Sequence, residues 1–252
     1  MKLPDSHRAN DLESMRAAMA VAAFAMATLG GTRGSEPANH ILRVQSYVRA
    51  LARRLQTVPK FAPVLTDAFI NVICESAPLH DMGAIGVPDR ILLKPGRVTA
   101  EEFAIIKTHT TLARDVILDA ERTLGCQAEL LRTLKELVYS HHEKWDGSGY
   151  PQGLAGEQIP LSARLLAIGD VYDALISDRV YKAGVPHDQA VAVIFQNRAS
   201  HFDPDMVDAF IEIQDEFDAV AKRYPDTEGD MQRRIDYMVN AIAEEATSPG
   251  SI

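Results

Sequence analysis

Cysteine, tryptophan and net positive charge are all scarce in this chain. Two cysteines among 252 residues, Cys74 and Cys126, lie far apart and outside any CxxC pattern. That argues against a disulfide-stapled scaffold and more strongly against a thiolate metal site; the expectation is a reduced, cytoplasmic protein with two packing thiols. Lys and Arg number 26 against 35 Asp and Glu, for a formal net charge of -9. A nucleic-acid polymer needs a basic face, so it is not an expected partner, whereas a small anionic ligand in a local basic pocket is compatible. No run of the roughly 20 apolar residues a bilayer demands is present. The segment MRAAMAVAAFAMATLGG has the look of a signal-peptide core, but Asp5, Asp11 and Glu13 make a poor basic leader before it. It reads as an Ala-rich packing helix, with no targeting signal and no membrane span.

Alternating strand patterns are missing as well, while helical periodicity recurs from end to end. Helices are expected near 9–29, 36–57, 61–79, 99–120, 126–141, 161–178, 187–199, 204–222 and 228–246. Thr99 followed by Glu101 and Glu102 marks a capped helix start, and Asp203-Pro204 marks another. The stretch 145–160 holds four glycines and two prolines; a loop of that length inside a helical domain is usually functional or mobile. Gly147 and Gly149 are read as positions where other residues would resist the backbone conformation. The fold class is all-α. Its expected divisions are an N-terminal helix and linker over 1–35, a helical core over 36–222, and a C-terminal helical extension with a disordered tail over 223–252. Met15, Met19, Ala22 and Met26 recur at helical spacing and would pack on that core or form a dimer seam.

What the chain does have is histidine and carboxylate in a repeated style. Glu36 and His40 are four apart and share a helix face. His80-Asp81 closes one helix, His109 sits within another, His141-His142 closes a third, and Asp170 lies in the apolar run ARLLAIGDVYDALI. Singly, each has a bland explanation: a solvated pair, a hydrogen-bonded core histidine, a carboxylate balanced by arginine. Jointly, five imidazoles and three carboxylates without sulfur suit iron, manganese or zinc. Asp81 and Asp170 could bridge ions about 3.5–4 Å apart, an arrangement that directs an activated water at a phosphorus or carbonyl centre.

These residues resemble a known family. His80-Asp81 followed by Gly83 is similar to the signature of HD-domain metal phosphohydrolases, and HHEKWDGSGYP, GDVYDAL, SDRVYK and HFDP resemble the HD-GYP subfamily in order and spacing. The resemblance spans about residues 36–210. It implies an HD-type helical core and two or three divalent metal ions, most often iron, with manganese as the other candidate. It also implies hydrolysis of cyclic di-GMP to pGpG or GMP. By position it implies metal ligation by Glu36, His40, His80, Asp81, His109, His141, His142 and Asp170, with His80, Asp81 and Asp170 central to catalysis. It further implies ligand contacts from Tyr150, Asp173, Arg179 and Lys182. Arg179 and Lys182 are cations of the kind an acidic protein needs for a dinucleotide's phosphates.

One position departs from the pattern HDxGK: Ala84 stands where a lysine is expected. No metal ligand is lost, but a cation beside the reacting phosphate is. The alternative is therefore a weakened enzyme that senses cyclic di-GMP or contacts a diguanylate cyclase through the GYP loop.

Overall fold

The computed structural model describes residues 21–28, 39–94, 96–125, 128–178, 183–229, 232 and 235–236. Among these residues there is no strand, only two isolated bridges, Asp146 with Ala155 and Arg198 with Phe202. The helices are α1 (His40–Gln56), α2 (Asp67–Ser76), α3 (Asp89–Leu92), α4 (Ala100–Leu124), α5 (Glu129–Ser140), α6 (Leu161–Ile176), α7 (His187–Gln196), α8 (Pro204–Glu212) and α9 (Gln214–Arg223). No helix among the described residues is long and apolar enough to cross a membrane.

Local chemistry sets most of these boundaries. Thr99 accepts a hydrogen bond from the Glu102 amide while Glu102 accepts one from the Thr99 amide, a reciprocal cap that starts α4 where the sequence predicts it. Asp203 caps α8, with Pro204 at its first position. Elsewhere the structure corrects the expected spans. Residues 61–66 form turns, and Thr66 caps α2 only from Asp67 onward. The single helix expected over 204–222 is broken at Ile213, whose φ of -118° and ψ of 16° leave helical geometry and separate α8 from α9. The glycine-containing stretch after Asp81 is a 3-10 turn over Met82–Gly86.

Two apolar clusters hold the helices. The larger draws Val44, Tyr47, Val48, Leu51 and Leu55 from α1, Ile70, Ile73 and Cys74 from α2, Leu165, Leu166, Ile168 and Tyr172 from α6, and Phe210 and Phe217 from α8 and α9. Tyr47 stacks on Phe217 at 4.5 Å between ring centroids, and Tyr172 meets both edge-on. Cys74 is fully buried there as a packing thiol, and burial raises its pKa to about 11. The smaller cluster joins α4 to α5 through Ala113, Ile117, Leu134 and Val138. Residues 21–28 are helical; Ala22 and Met26 are exposed and Ala27 is buried, so of the two roles expected for the first two, packing on the core is not the one taken. Met15 and Met19, most of the helices expected over 9–29 and 228–246, and the tail lie outside the described residues.

The close approach of the Met82–Gly86 turn to α4 decides where two candidate ligands sit. A Cβ on Gly83 would lie 2.0 Å from the His109 carbonyl oxygen and 3.0 Å from the Ala113 amide. Glycine at this place lets the chain after Asp81 rest on the helix that carries His109. Gly83→Ala is therefore expected to cost roughly 1–3 kcal/mol in chemical denaturation, the usual range for overpacking.

Candidate metal centre

Every candidate ligand within the described residues faces one centre. His40 opens α1, His80 and Asp81 join two 3-10 turns, His109 lies in α4, His141 and His142 follow the end of α5, and Asp170 lies in α6. They form two adjoining groups: Asp81, His109, His141 and His142, and His40, His80 and Asp170, with candidate ligand atoms within 4.8 Å of one another in each. His109 Nε2 and His141 Nε2 each stand 3.2 Å from Asp81 Oδ1. Asp81 Oδ2 stands 3.6 Å from His80 Nε2, so the carboxylate offers one oxygen to each group. Asp170 Oδ1 lies 3.8 Å from His40 Nε2 and 3.9 Å from His80 Nε2.

The far side of each ring explains its orientation. Nδ1–H of His80 donates to the Ala77 carbonyl at 2.9 Å, that of His109 to Ile106 at 2.7 Å, and that of His141 to Val138 at 3.1 Å. Each is a carbonyl three residues back, reached because the ring folds along its own helical turn. With the proton held at Nδ1, Nε2 presents a lone pair to the centre, the tautomer a metal ligand requires. His109 Nε2 and His141 Nε2 then lie 3.4 Å apart beside an anionic oxygen. Acceptors facing acceptors repel unless a cation lies among them. A proton is a poor cation here, because burial holds the His141 pKa down against the pull of Asp81, and burial together with His141 pushes His142 further down. Neutral imidazoles around ionised carboxylates fit a divalent ion.

His40 is oriented differently. Its Nδ1–H donates to Asp173 Oδ2 at 2.9 Å. Asp173 is fully buried and also accepts from Arg43 Nε at 2.6 Å and Arg43 Nη2 at 2.9 Å. Asp173, expected to contact the ligand, is buried against His40 and Arg43 and sets the ring that faces the centre. Arg43 is itself buried, a charge that sequence reading passes over because an arginine three residues past a histidine looks like a solvated face. Burial raises the Asp173 pKa, but His40 and Arg43 outweigh it and the net shift is downward.

The long loop after α5 is fastened by a second residue missed in the sequence, Glu143. Its side chain is buried directly after the histidine pair, and it accepts from the Gln152 amide at 2.7 Å and the Leu154 amide at 3.0 Å. Gly147 has a φ of 82°, as expected, whereas Gly149 is needed for close approach: a Cβ there would lie 2.3 Å from the Lys144 amide nitrogen. This wrap brings the Tyr150 ring to 4.8 Å from the His142 ring. Tyr150 is half-buried, and burial, then Asp81 and Asp170, raises its hydroxyl pKa. Glu36, Arg179 and Lys182 lie outside the described residues.

Glu143→Ala is expected to leave the helices intact while amide exchange at Gln152 and Leu154 accelerates at least tenfold. The basis is the loss of two charge-assisted bonds worth about 1.5–3 kcal/mol each; exchange at both amides unchanged from the parent would remove the latch.

A family model described as an HD domain matches residues 39–206. The chain is 47% identical over 224 residues to a probable cyclic di-GMP phosphodiesterase of Vibrio cholerae serotype O1, covering 89% of this chain and 50% of that protein. It is 48% identical over 206 residues to a cyclic di-GMP phosphodiesterase of the same organism, covering 82% and 42%. The chain thus spans half or less of the length of these two curated relatives. The solved structure of an HDG"Y"P protein from Bdellovibrio bacteriovorus shares the fold, with a TM-score of 0.50 at 20% identity over 68% of this chain and 51% of that one. With the matched span and the HHEKWDGSGYP signature at 141–151 together, the chain belongs to the HD domain family, in its HD-GYP branch.

Proposed function

We propose that this chain is a metal-dependent phosphodiesterase that hydrolyses cyclic di-GMP to pGpG or GMP. The observation that carries the reading is the pair of adjoining nitrogen–oxygen groups joined through the two oxygens of Asp81. Two bound divalent ions would supply Lewis-acid polarisation of a phosphodiester and a water of lowered pKa. Iron is the favoured ion and manganese the alternative, on donor chemistry; Glu36 is the ligand proposed for a third. His40, His80 and Asp170 would hold one ion, and Asp81, His109, His141 and His142 the other. His80, Asp81 and Asp170 would be central to catalysis, holding the ions against which the reacting phosphate would bind. Tyr150 would close one side of the ligand, and Arg179 and Lys182 would pair with its phosphates. The names of the two relatives support this substrate, and the cytoplasm, where a nucleotide second messenger is met, is the proposed compartment.

The assay is a product analysis of the chain loaded anaerobically with iron(II), and separately with manganese(II), then given cyclic di-GMP. Multiple-turnover conversion to pGpG or GMP is expected. His141→Ala is expected to lose bound metal and at least a hundredfold in rate; full metal content and full rate in that variant would overturn the site assignment.

Ala84 favours the second reading, a sensor or adaptor that binds cyclic di-GMP with little turnover, alone or with a diguanylate cyclase. Ala84 is largely buried in the turn that follows Asp81. A lysine there would add a cation at the reacting phosphate, a type of stabilisation worth about 2.7–4 kcal/mol in comparable sites. Lys107 Nζ already stands 5.7 Å from the Tyr150 ring. Ala84→Lys is expected to raise kcat at least tenfold. Unchanged kinetics would assign the role to a cation already present, and affinity without turnover in the parent would favour the sensor.

A further inference from the structure

The segment following α9 turns back onto the helix that carries His40. Arg43 Nη1 donates to the Tyr224 carbonyl at 2.7 Å and to Asp226 Oδ1 at 3.1 Å, and Arg43 Nη2 donates to Asp226 Oδ2 at 3.2 Å. Asn39, the residue before His40, holds the same segment: its Nδ2 donates to the Pro225 carbonyl at 2.7 Å. The Arg43 guanidinium therefore lies between two carboxylates, Asp173 on α6 and Asp226 beyond α9, with Ser177 Oγ accepting from Nη2 at 2.9 Å. Arg43 is 2% exposed, and the Asp226 side chain is 15% exposed at the rim. A buried guanidinium in a rigid planar fork cannot move one partner without moving the other.

The chain of contacts runs from Asp226 to Arg43, to Asp173, to His40, and ends on a ring whose Nε2 faces Asp170. It reaches only one of the two ligand groups. His109 and His141 are set by carbonyls of their own helices and owe nothing to it. Residues 224–226 lie beyond the span matched to the family model.

We propose that Asp226 is a positioning residue for the ion that His40, His80 and Asp170 would hold, acting through Arg43, Asp173 and the His40 ring. The inference rests on the metal-centre reading, and it places the end of the working unit at 226 rather than 222. With Asp226 withdrawn, Arg43 keeps Asp173 but loses the contacts that fix its own angle. Asp173 and the His40 ring are then less tightly set, with Ser177 and the Tyr224 carbonyl as the remaining contacts of Arg43.

The test is an anaerobic cobalt(II) titration of the metal-free full chain, read by equilibrium competition and by the visible bands of the bound ion. The parent is expected to bind two ions. Asp226→Asn is expected to weaken one of them by about tenfold or more, the scale for losing an outer-shell partner. The other ion should be unchanged, as should helicity, and Asp226→Glu should restore the weakened ion. Asn39→Ala, which releases the segment from its other side, is expected to move the same ion in the same direction and serves if Asp226→Asn fails to fold. Isotherms and spectra equal to the parent in these variants overturn the positioning role and leave the metal centre standing. Equal weakening of both ions overturns it too, because that is what general loosening of the fold produces. A parent that binds no cobalt overturns the metal centre itself and the positioning role with it.

Discussion

Too many acceptors in one place is the constraint this molecule is built around. Two ring nitrogens 3.4 Å apart and a carboxylate oxygen 3.2 Å from each crowd together at a cost unless a positive charge lies among them. The helical turns that hold Nδ1 protons away from the centre enforce the crowding. The fold therefore stores an unfavourable arrangement of its own groups, and an ion would relieve it. The large apolar cluster holds α1, α2 and α6 in register and so sets the separation of His40 and Asp170.

Much of the centre was legible in the sequence because metal-competent side chains at helix ends are conspicuous. The all-α class, the capped start of α4 and the meeting of His40, His80, Asp81, His109, His141, His142 and Asp170 follow from local pattern. The groups that steer those side chains were not legible. Arg43 and Glu143 look like ordinary solvent-facing charges, because their burial depends on segments more than a hundred residues away for Arg43 and on the loop's fold-back for Glu143. Asp173 was assigned to the ligand by position, whereas its depth below α1 makes it a partner of the protein itself. The break at Ile213 also escaped pattern reading, since apolar spacing continues through it and only the backbone angles reveal the corner.

The loop after α5 shows how one short run can serve two ends. His141 and His142 face the candidate metal centre, and Glu143, the next residue, turns the other way and fastens the glycine-rich wrap. A shift of one residue would exchange these duties, so the tripeptide sets both the centre and the wall beside it. The same wall brings Tyr150 against His142 without any regular element.

The two apolar clusters differ greatly in size, and this has a consequence for how the molecule breathes. α5 is tied into the main core through Leu137, whereas α4 rests on α5 and on the Met82–Gly86 turn and is held through the smaller cluster. A helix held at the margin in this way is the natural unit of partial opening. It carries His109, while the other candidate ligands stay with the body. Opening would draw His109 away from Asp81, so an ion bound between them would act as a staple across that seam.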